Sequence, residues 1–408
     1  MISYAETIRT LNPTASILHL SGYVGRSGMG ISSVVLGLMG AQTSMGADTQ
    51  IWSCDNDASV AQVCQDFNQP RSAIVTYPTV GPARLCFSPS MLRAIGGEAG
   101  ERFGVVHQHG MWQACSAAVN RWRARYQRPT VLAPHGSLEA YALGRSRLKK
   151  QLASLLYESR NVRSATCLHA TAAAEVRSFR DFGAKNDIAL IPNGVSEQWL
   201  SASGDAERFR RKYSVPLDKR VLFFLSRVTP KKGLPMLLGA IGDHRQRLRD
   251  WMLIIAGNGE FGHREELEAQ ASALGITGAI AFLGPLFGQD KRDAFAATDV
   301  FVLPSHSEGS PMAVLDALAA GVPVLTTRMV PWEDLTRHDC GWWVPADRNS
   351  LGDALVDISS RSRQDLATLG ARGRKLVAEQ YSWRLAASRS LRLYAWLQGL
   401  ADKPDFVI

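Results

Sequence analysis

The chain has 408 residues, 46% hydrophobic and 20% charged, a composition with core enough for two domains of roughly 200 residues. Its six cysteines (Cys54, Cys64, Cys86, Cys115, Cys167, Cys340) are scattered with no C-x-x-C pair, which excludes a disulfide framework and a zinc cluster and points to reduced thiols. No apolar run approaches the ~18–20 residues needed to cross a bilayer, and the start lacks the basic and apolar regions of a secretory leader, so a cytoplasmic protein is expected; the net charge of +9 favours anionic partners.

Short apolar runs alternate with helix-length amphipathic stretches along the whole chain. In the first half they are Ile17–Leu20, Gly104–His107, Thr130–Ala133, Thr166–His169 and Ile188–Ile191. In the second they are Val221–Leu225, Trp251–Ala256, Ile280–Leu283, Val300–Leu303 and Val322–Thr326. Continuous runs of this length between helices predict parallel strands buried on both faces, in doubly wound sheets that bind ligands at their C-terminal strand ends. A break after Pro192-Asn193-Gly194, followed by a polar stretch from Ser201, divides the chain into residues 1–200 and 201–380. The last segment, 381–408, carries apolar positions at helical spacing.

Several strand exits carry chemistry. Gly22 to Gly30 (GYVGRSGMG) lies between the first strand and its helix, but its spacing departs from a dinucleotide G-x-G-x-x-G loop, and no acid closes the following strand at the usual position, although Asp55 is in the vicinity. His107-Gln108-His109-Gly110 and Pro134-His135-Gly136 put an H-G turn after two successive strands. His107 and His109 lack carboxylates nearby, so no metal site is expected. From Arg121 to Lys150 eight basic residues stand against Glu139, interleaved with Trp122, Tyr126 and Tyr141. That segment predicts docking on an anionic membrane surface, each basic residue contributing about 1 kcal/mol, and no nucleic-acid motif accompanies it.

In the second half, Ser226-Arg227-Val228-Thr229-Pro230-Lys231-Lys232-Gly233 places two cations, Arg227 and Lys232, across a turn at a strand end, where both can converge on one diphosphate. Ala256 to Glu260 and Phe282 to Leu286 are further strand exits. From Asp299 to Thr327 a strand runs into a Ser/Gly-rich loop and then a helix, with Glu308 and Asp316 across the junction. Loop N–H groups and the helix dipole favour an anion there, and the carboxylates can hold hydroxyls, so a phosphorylated, hydroxyl-rich ligand is expected.

These elements resemble those of the GT-B-fold retaining glycosyltransferases of family 4. The EGSPM loop and LDALAAG helix are similar to the family's E-x7-E element, with Asp at the second acidic position, and Arg227 to Gly233 is similar to its R-x4-K-G element. The H-G turns resemble the subset that builds exopolysaccharide or lipopolysaccharide. The resemblance implies an α/β GT-B architecture: a Rossmann-like acceptor domain (1–200), a donor domain (201–380) facing it across a cleft, and a helix (381–408) crossing back to the first. It implies transfer of a hexosyl unit from a nucleoside diphosphate sugar to an acceptor hydroxyl, with retention and without an enzymic nucleophile.

By that resemblance Arg227, Lys232, Glu308 and His135 are catalytic, His135 donating a hydrogen bond to a sugar hydroxyl or phosphate. Gly28, Gly30, Gly284, Leu286, Gly309, Ser310, Met312 and Asp316 bind the donor, Asp316 through its ribose. Arg26 and His109 face the acceptor. No cofactor or metal is expected, because no D-x-D pair lies in the donor half. The implied acceptor is a lipid-linked glycan or oligosaccharide at the inner face of the cytoplasmic membrane. Two other readings stay open: a nucleotide-sugar epimerase of similar two-domain fold, and a non-catalytic glycan- or partner-binding protein.

Overall fold

A computed structural model describes residues 16–408 except Asn68, Ala202, Ser203 and Phe261. The expectation of no leader concerns residues 1–15 and lies outside the described residues. The chain divides into two compact units, one formed by Met1–Gly194 with Trp383–Ile408, the other by Val195–Ser382. The two connections run side by side at the boundary, where Val195 N donates to the Tyr381 carbonyl at 2.8 Å.

The first unit holds a seven-stranded sheet of β1 (Ser16–Ser21), β2 (Thr49–Ser53), β3 (Ile74–Thr76), β4 (Phe103–His109), β5 (Thr130–Ala133), β6 (Cys167–Ala170) and β7 (Asp187–Leu190). The second holds β8 (Arg220–Leu225), β9 (Trp251–Ala256), β10 (Ile280–Leu283), β11 (Val300–Leu303), β12 (Val324–Thr327) and β13 (Gly341–Val344). The orders are β3-β2-β1-β4-β5-β6-β7 and β10-β9-β8-β11-β12-β13, and every pairing between these strands is parallel. Each sheet therefore reverses its winding once, between β1 and β4 and between β8 and β11. Successive loops diverge there and open a crevice at the strand ends.

The central strands are apolar and buried because helices cover both faces. In the second unit Phe223 packs edge-on to Phe295 at 5.3 Å beneath the helix Gly288–Ala296. The last residues, expected to belong to the 381–408 helix, leave it after Leu397 and pair antiparallel with β7: Ile188 N donates to the Ile408 carbonyl at 2.9 Å and Leu190 N to that of Phe406 at 3.0 Å. This occupies an edge that would otherwise expose unpaired backbone groups.

One face of the first sheet is polar at its centre. His19 on β1 stands in register with His107 on β4, two residues before His109, and His169 lies on β6. His19, His109 and half-buried His135 are linked by hydrogen bonds, as are His107 and His169, and all but His135 are fully buried. The helix Trp383–Leu397 closes over this row, bringing Ser390 and Tyr394 against Gln42 and His107. Burial pushes His19 and His169 down to about 4 and His135 down to about 3, and lowers His107 and His109 well below their ordinary value.

An unfolded histidine takes up a proton near 6.5, whereas these five stay neutral in the folded chain to much lower pH. The unfolded chain therefore binds more protons below 6.5, and stability should fall as pH drops toward 4, by roughly 1.4 kcal/mol per pH unit for each histidine at most. Buried Glu158 and Glu175, whose carboxyls are pushed up, act in the opposite sense but are outnumbered. Calorimetry from pH 7 to 4.5 should show a steeply falling Tm for the first unit; a flat Tm would contradict neutral burial of the row.

Candidate active site

In the second unit β8 and β11 are hydrogen-bonded neighbours, so their exits start side by side. After β8 the chain makes a short turn of 3-10 helix, Pro230–Lys232, and Gly233 follows with φ +68°, opening the helix Leu234–Asp243. A Cβ on Gly233 would lie 2.0 Å from the Pro304 carbonyl oxygen, so only glycine lets the β8 exit pass the β11 exit this closely. His306 N donates to the Lys231 carbonyl at 2.8 Å and ties the two loops together.

That contact brings Lys232 and Glu308 into a direct ion pair, with both side chains nearly buried. Ser305 Oγ donates to the same Glu308 oxygen at 2.7 Å. Burial lowers the Lys232 pKa, and Glu308 opposes the shift. Arg227, expected beside Lys232, is half-exposed and bonded to Glu260 at 2.9 Å. Glu260 is held in place because Val228 pairs with Gly259 across the β8 and β9 exits. The sequence placed Glu260 near the site but gave its side chain no role. Both cations are thus engaged by carboxylates of the chain itself.

The helix Met312–Ala319 follows Pro311 and starts beyond the Glu308–Ser310 loop. Glu308 N is bonded to the Met329 carbonyl at 3.2 Å. Pro311 has no N–H, so Gly309, Ser310 and Met312 carry the N–H groups available to a ligand. Asp316 sits in the second turn of this helix, buried, with its carboxyl pushed up by burial and held down by Lys291, whose ammonium donates to it at 2.6 Å. Lys291 also lies over the Trp199 ring, and the Trp199 indole N–H donates to the Asp316 carbonyl at 2.9 Å. Sequence reasoning missed Lys291, which stands 25 residues before Asp316. After β10, Gly284 is exposed with no protein atom within 4 Å of a Cβ built on it, whereas the Leu286 side chain is buried.

In the first unit the β1 exit runs through Arg26–Gly28 into the helix Met29–Ser44. Asp55 holds this loop by accepting from Gly25 N at 2.8 Å. Gly28 is crowded by Ser32 and the Tyr23 carbonyl, while a Cβ on Gly30 would meet nothing within 4 Å. Arg26 is exposed and lies 3.3 Å from Asp66. His109 ends β4, and its Nδ1 lies 3.1 Å from His135 Nε2. His135 and Gly136 both have positive φ, and the turn is fixed by buried Glu175, which accepts from Gly136 N at 2.6 Å and from Thr171 N at 2.7 Å. The structure thus joins His109 to His135, and Lys232 to Glu308. It ties Arg227 to Glu260 and Asp316 to Lys291.

A metal fits the histidines poorly. The ring nitrogens of His19, His107 and His109 lie within 4.8 Å of one another. However, His109 stacks on both neighbours, at 30° and 27°, so the rings lie face to face instead of directing lone pairs at one point.

The 121–150 segment does not form one basic face. Trp122 is fully buried with its indole N–H on the Gly100 carbonyl. Arg123 bonds Thr130, Asn120 and Asn161, and Arg128 bonds the carbonyls of Glu101 and Phe103. These guanidiniums satisfy local acceptors and hold structure. Arg121, Arg125, Arg145, Arg147 and Lys149 remain outward, and the last three stand beside exposed leucines: Leu148 and Leu155 are 82% and 84% exposed, and Leu152 and Leu156 are also exposed.

Two family models match the chain, the "Glycosyl transferase 4-like domain" over residues 29–194 and "Glycosyl transferases group 1" over 205–375. A D-inositol 3-phosphate glycosyltransferase of Streptomyces scabiei is 27% identical over 329 residues, 77% of this chain and 72% of that protein. A phosphatidyl-myo-inositol mannosyltransferase of Mycobacterium leprae is 31% identical over 214 residues, 51% of this chain and 54% of that one. Anabaena HepE, solved with UDP and glucose, superposes with a TM-score of 0.74 at 18% identity, covering 93% of this chain and 99% of that one, a likeness of fold. With matches over both units and this shared architecture, the chain belongs to the group 1 glycosyltransferases, family 4, of GT-B fold.

Proposed function

We propose that this glycosyltransferase is a retaining enzyme that moves a hexosyl unit from a nucleoside diphosphate sugar to an acceptor hydroxyl, on a lipid-linked glycan of cell-surface polysaccharide synthesis. The observation that carries it is the junction of the β8 and β11 exits, where Lys232 and Glu308 are paired next to a helix N-terminus. HepE's complex with UDP and glucose supports the donor class, and the mannosyltransferase's phosphatidyl-myo-inositol acceptor supports a lipid-linked one.

Arg227 and Lys232 neutralise the diphosphate as the bond from sugar C1 to phosphate oxygen breaks, and the N–H groups of Gly309, Ser310 and Met312 share that charge. Glu308 exchanges its ammonium partner for sugar hydroxyls. Asp316 holds the ribose, and Gly28, Gly30, Gly284 and the backbone at Leu286 line the donor. Gly30 and Gly284 suit this, since nothing in their own units crowds them. The acceptor, proposed to meet exposed Arg26 and not His109, which is buried with its ring nitrogens on His19 and His135, gives its oxygen to C1 on the face the diphosphate leaves, and its proton passes to a departing phosphate oxygen. No metal is needed while two side-chain cations meet the diphosphate, so turnover should survive EDTA; loss on chelation that Mg²⁺ restores would contradict this neutralisation. Nucleotide release that requires an acceptor separates transfer from epimerisation.

Arg227→Ala and Lys232→Ala should each cut kcat/KM by roughly 30- to 1000-fold, the loss of about 2–4 kcal/mol of leaving-group stabilisation. Circular dichroism should confirm that Arg227→Ala stays folded, since Arg227 is half-exposed. Glu260→Gln should lower donor KM, because it frees Arg227 from a competing anion. Near-normal turnover of both cation variants would remove the diphosphate from this site.

Asp316→Glu should be tolerated, and Asp316→Ala should raise donor KM with little change in kcat, since a ribose contact is made equally in ground and transition states. An unchanged donor KM would remove the ribose role.

The outward face of residues 145–156 is proposed to dock on the anionic inner membrane surface, with leucines entering the headgroup boundary and Arg145, Arg147 and Lys149 at its rim. Co-sedimentation with anionic vesicles should weaken as salt rises past physiological strength, and should drop when the three cations, or Leu148 and Leu155, become Ser. Equal binding to neutral vesicles, or no effect of either set, would leave the face without a lipid partner.

A further inference from the structure

The histidine row of the first sheet is a hydrogen-bond chain whose direction is fixed at one end. His169 Nε2 lies 2.8 Å from the Ile191 carbonyl, which can only accept, so Nε2 carries the proton and, the ring being neutral, Nδ1 is bare. Nδ1 of His169 faces His107 Nε2 at 3.2 Å, so His107 donates there and its own Nδ1 is bare. The Tyr394 hydroxyl, 2.6 Å away, donates to it.

With its proton committed, the Tyr394 oxygen can only accept, and Gln42 Nε2 lies 3.4 Å from it and 2.7 Å from Ser390 Oγ. Ser390 donates its own proton to the Ala387 carbonyl. The Gln42 amide is thereby oriented with nitrogen toward the helix Trp383–Leu397 and oxygen toward His19. His19 Nε2 donates to that oxygen at 2.7 Å. His109 Nε2 then donates to His19 Nδ1 at 3.0 Å, and His135 Nε2 to His109 Nδ1 at 3.1 Å. Every step follows from the one before it, and the chain ends at His135, whose Nδ1 meets no partner among the described residues.

We propose that Gln42, His19 and His109 are positioning residues that hold His135 as the neutral Nε2–H tautomer, so that its Nδ1 is a hydrogen-bond acceptor for a substrate hydroxyl. The substrate part rests on the function proposed above; the tautomer does not. This reverses the expected role of His135, which was to donate to a hydroxyl or phosphate. A bare Nδ1 accepts from a hydroxyl and repels a phosphate or carboxylate oxygen, so this end of the site selects an uncharged, hydroxyl-bearing part of the sugar. His135 keeps that form because, among the described residues, no carboxylate is hydrogen-bonded to the row: its polar neighbours are Gln42, Ser390, Tyr394, the Ile191 carbonyl and the other rings, and Glu175 bonds Gly136 and Thr171.

The test is long-range proton–nitrogen NMR of the full chain with nitrogen-15 histidine at neutral pH, the His135 signals being assigned by their loss in His135→Gln. The expected result is the Nε2–H pattern at all five rings. An Nδ1–H tautomer, an averaged mixture or an imidazolium at His135 would overturn the proposal. Gln42→Met, similar in volume but with no acceptor, should convert His135 to a mixture and lower kcat roughly 5- to 10-fold, one oriented neutral hydrogen bond. Tyr394→Phe, equally buried, should change His107 but leave His135 as Nε2–H, since Ser390 still orients the amide. Equal disturbance of His135 in both variants, or none in Gln42→Met, would overturn the chain as the cause. If Gln42→Met does not fold, the wild-type spectrum decides alone. The expected spectrum without turnover of any nucleotide sugar would leave the tautomer standing and defeat the substrate assignment.

Discussion

Each sheet reverses its winding once, and the chemistry of the protein collects where it does. At β1/β4 and β8/β11 the loops that follow adjacent strands run to opposite faces, so no crossover covers the strand ends between them. The glycine loop and His109 leave one such point; Arg227 to Lys232 and Ser305 to Glu308 leave the other. Elsewhere backbone and side chains are committed to burial between helices. The strand order therefore decides which residues can reach a ligand, and local sequence decides only what they offer it.

At the second of these points the offer is charge, and burial makes it conditional. An ammonium as enclosed as that of Lys232 is stable in its charged form only with an anion beside it, and Glu308 fills that role. A diphosphate brings more negative charge than one carboxylate and can take over the pairing without a bare-cation intermediate. Arg227 differs: half-exposed, it meets Glu260 in a setting where water screens the attraction, so the exchange costs less. To the diphosphate proposed above, Lys232 thus offers an enclosed charge and Arg227 an exposed one.

The sequence was most legible where burial is most complete. Trp251–Ala256 and Val300–Leu303 are observed with the expected bounds, because continuous buried apolar runs leave few alternatives, and the half-buried edge strand Ile280–Leu283 also matches because its run is apolar throughout. β2 (TQIWS) was missed for its polar mixture, and β3 and β13 because they are short edge strands with partly exposed residues. Lys232 and Glu308 could be placed because each sits in a compact local pattern after a strand. The Asp316–Lys291 pair and the basic segment could not be settled that way. Whether an arginine faces water or a carbonyl depends on tertiary neighbours, and Arg123 and Arg128 have backbone and side-chain acceptors that no charge count reveals.

The histidine row was the least legible feature, since its members are spread from His19 to His169 and become neighbours only through strand register. Its physical sense lies in what a parallel sheet permits. Polar groups in such an interior must be saturated by partners, and ionised ones would need counter-charges that this face lacks. Imidazole meets both conditions when neutral, because each ring has one donor and one acceptor and can pass direction to the next. Leucines would fill the same space with no orienting effect at all. A row that begins on a backbone carbonyl and ends at the loop beyond β5 therefore carries information from the core to a surface turn, namely which nitrogen of His135 holds the proton. That places the helix Trp383–Leu397 in the chemistry of a strand end it does not itself reach, through Ser390 and Tyr394 on the Gln42 amide.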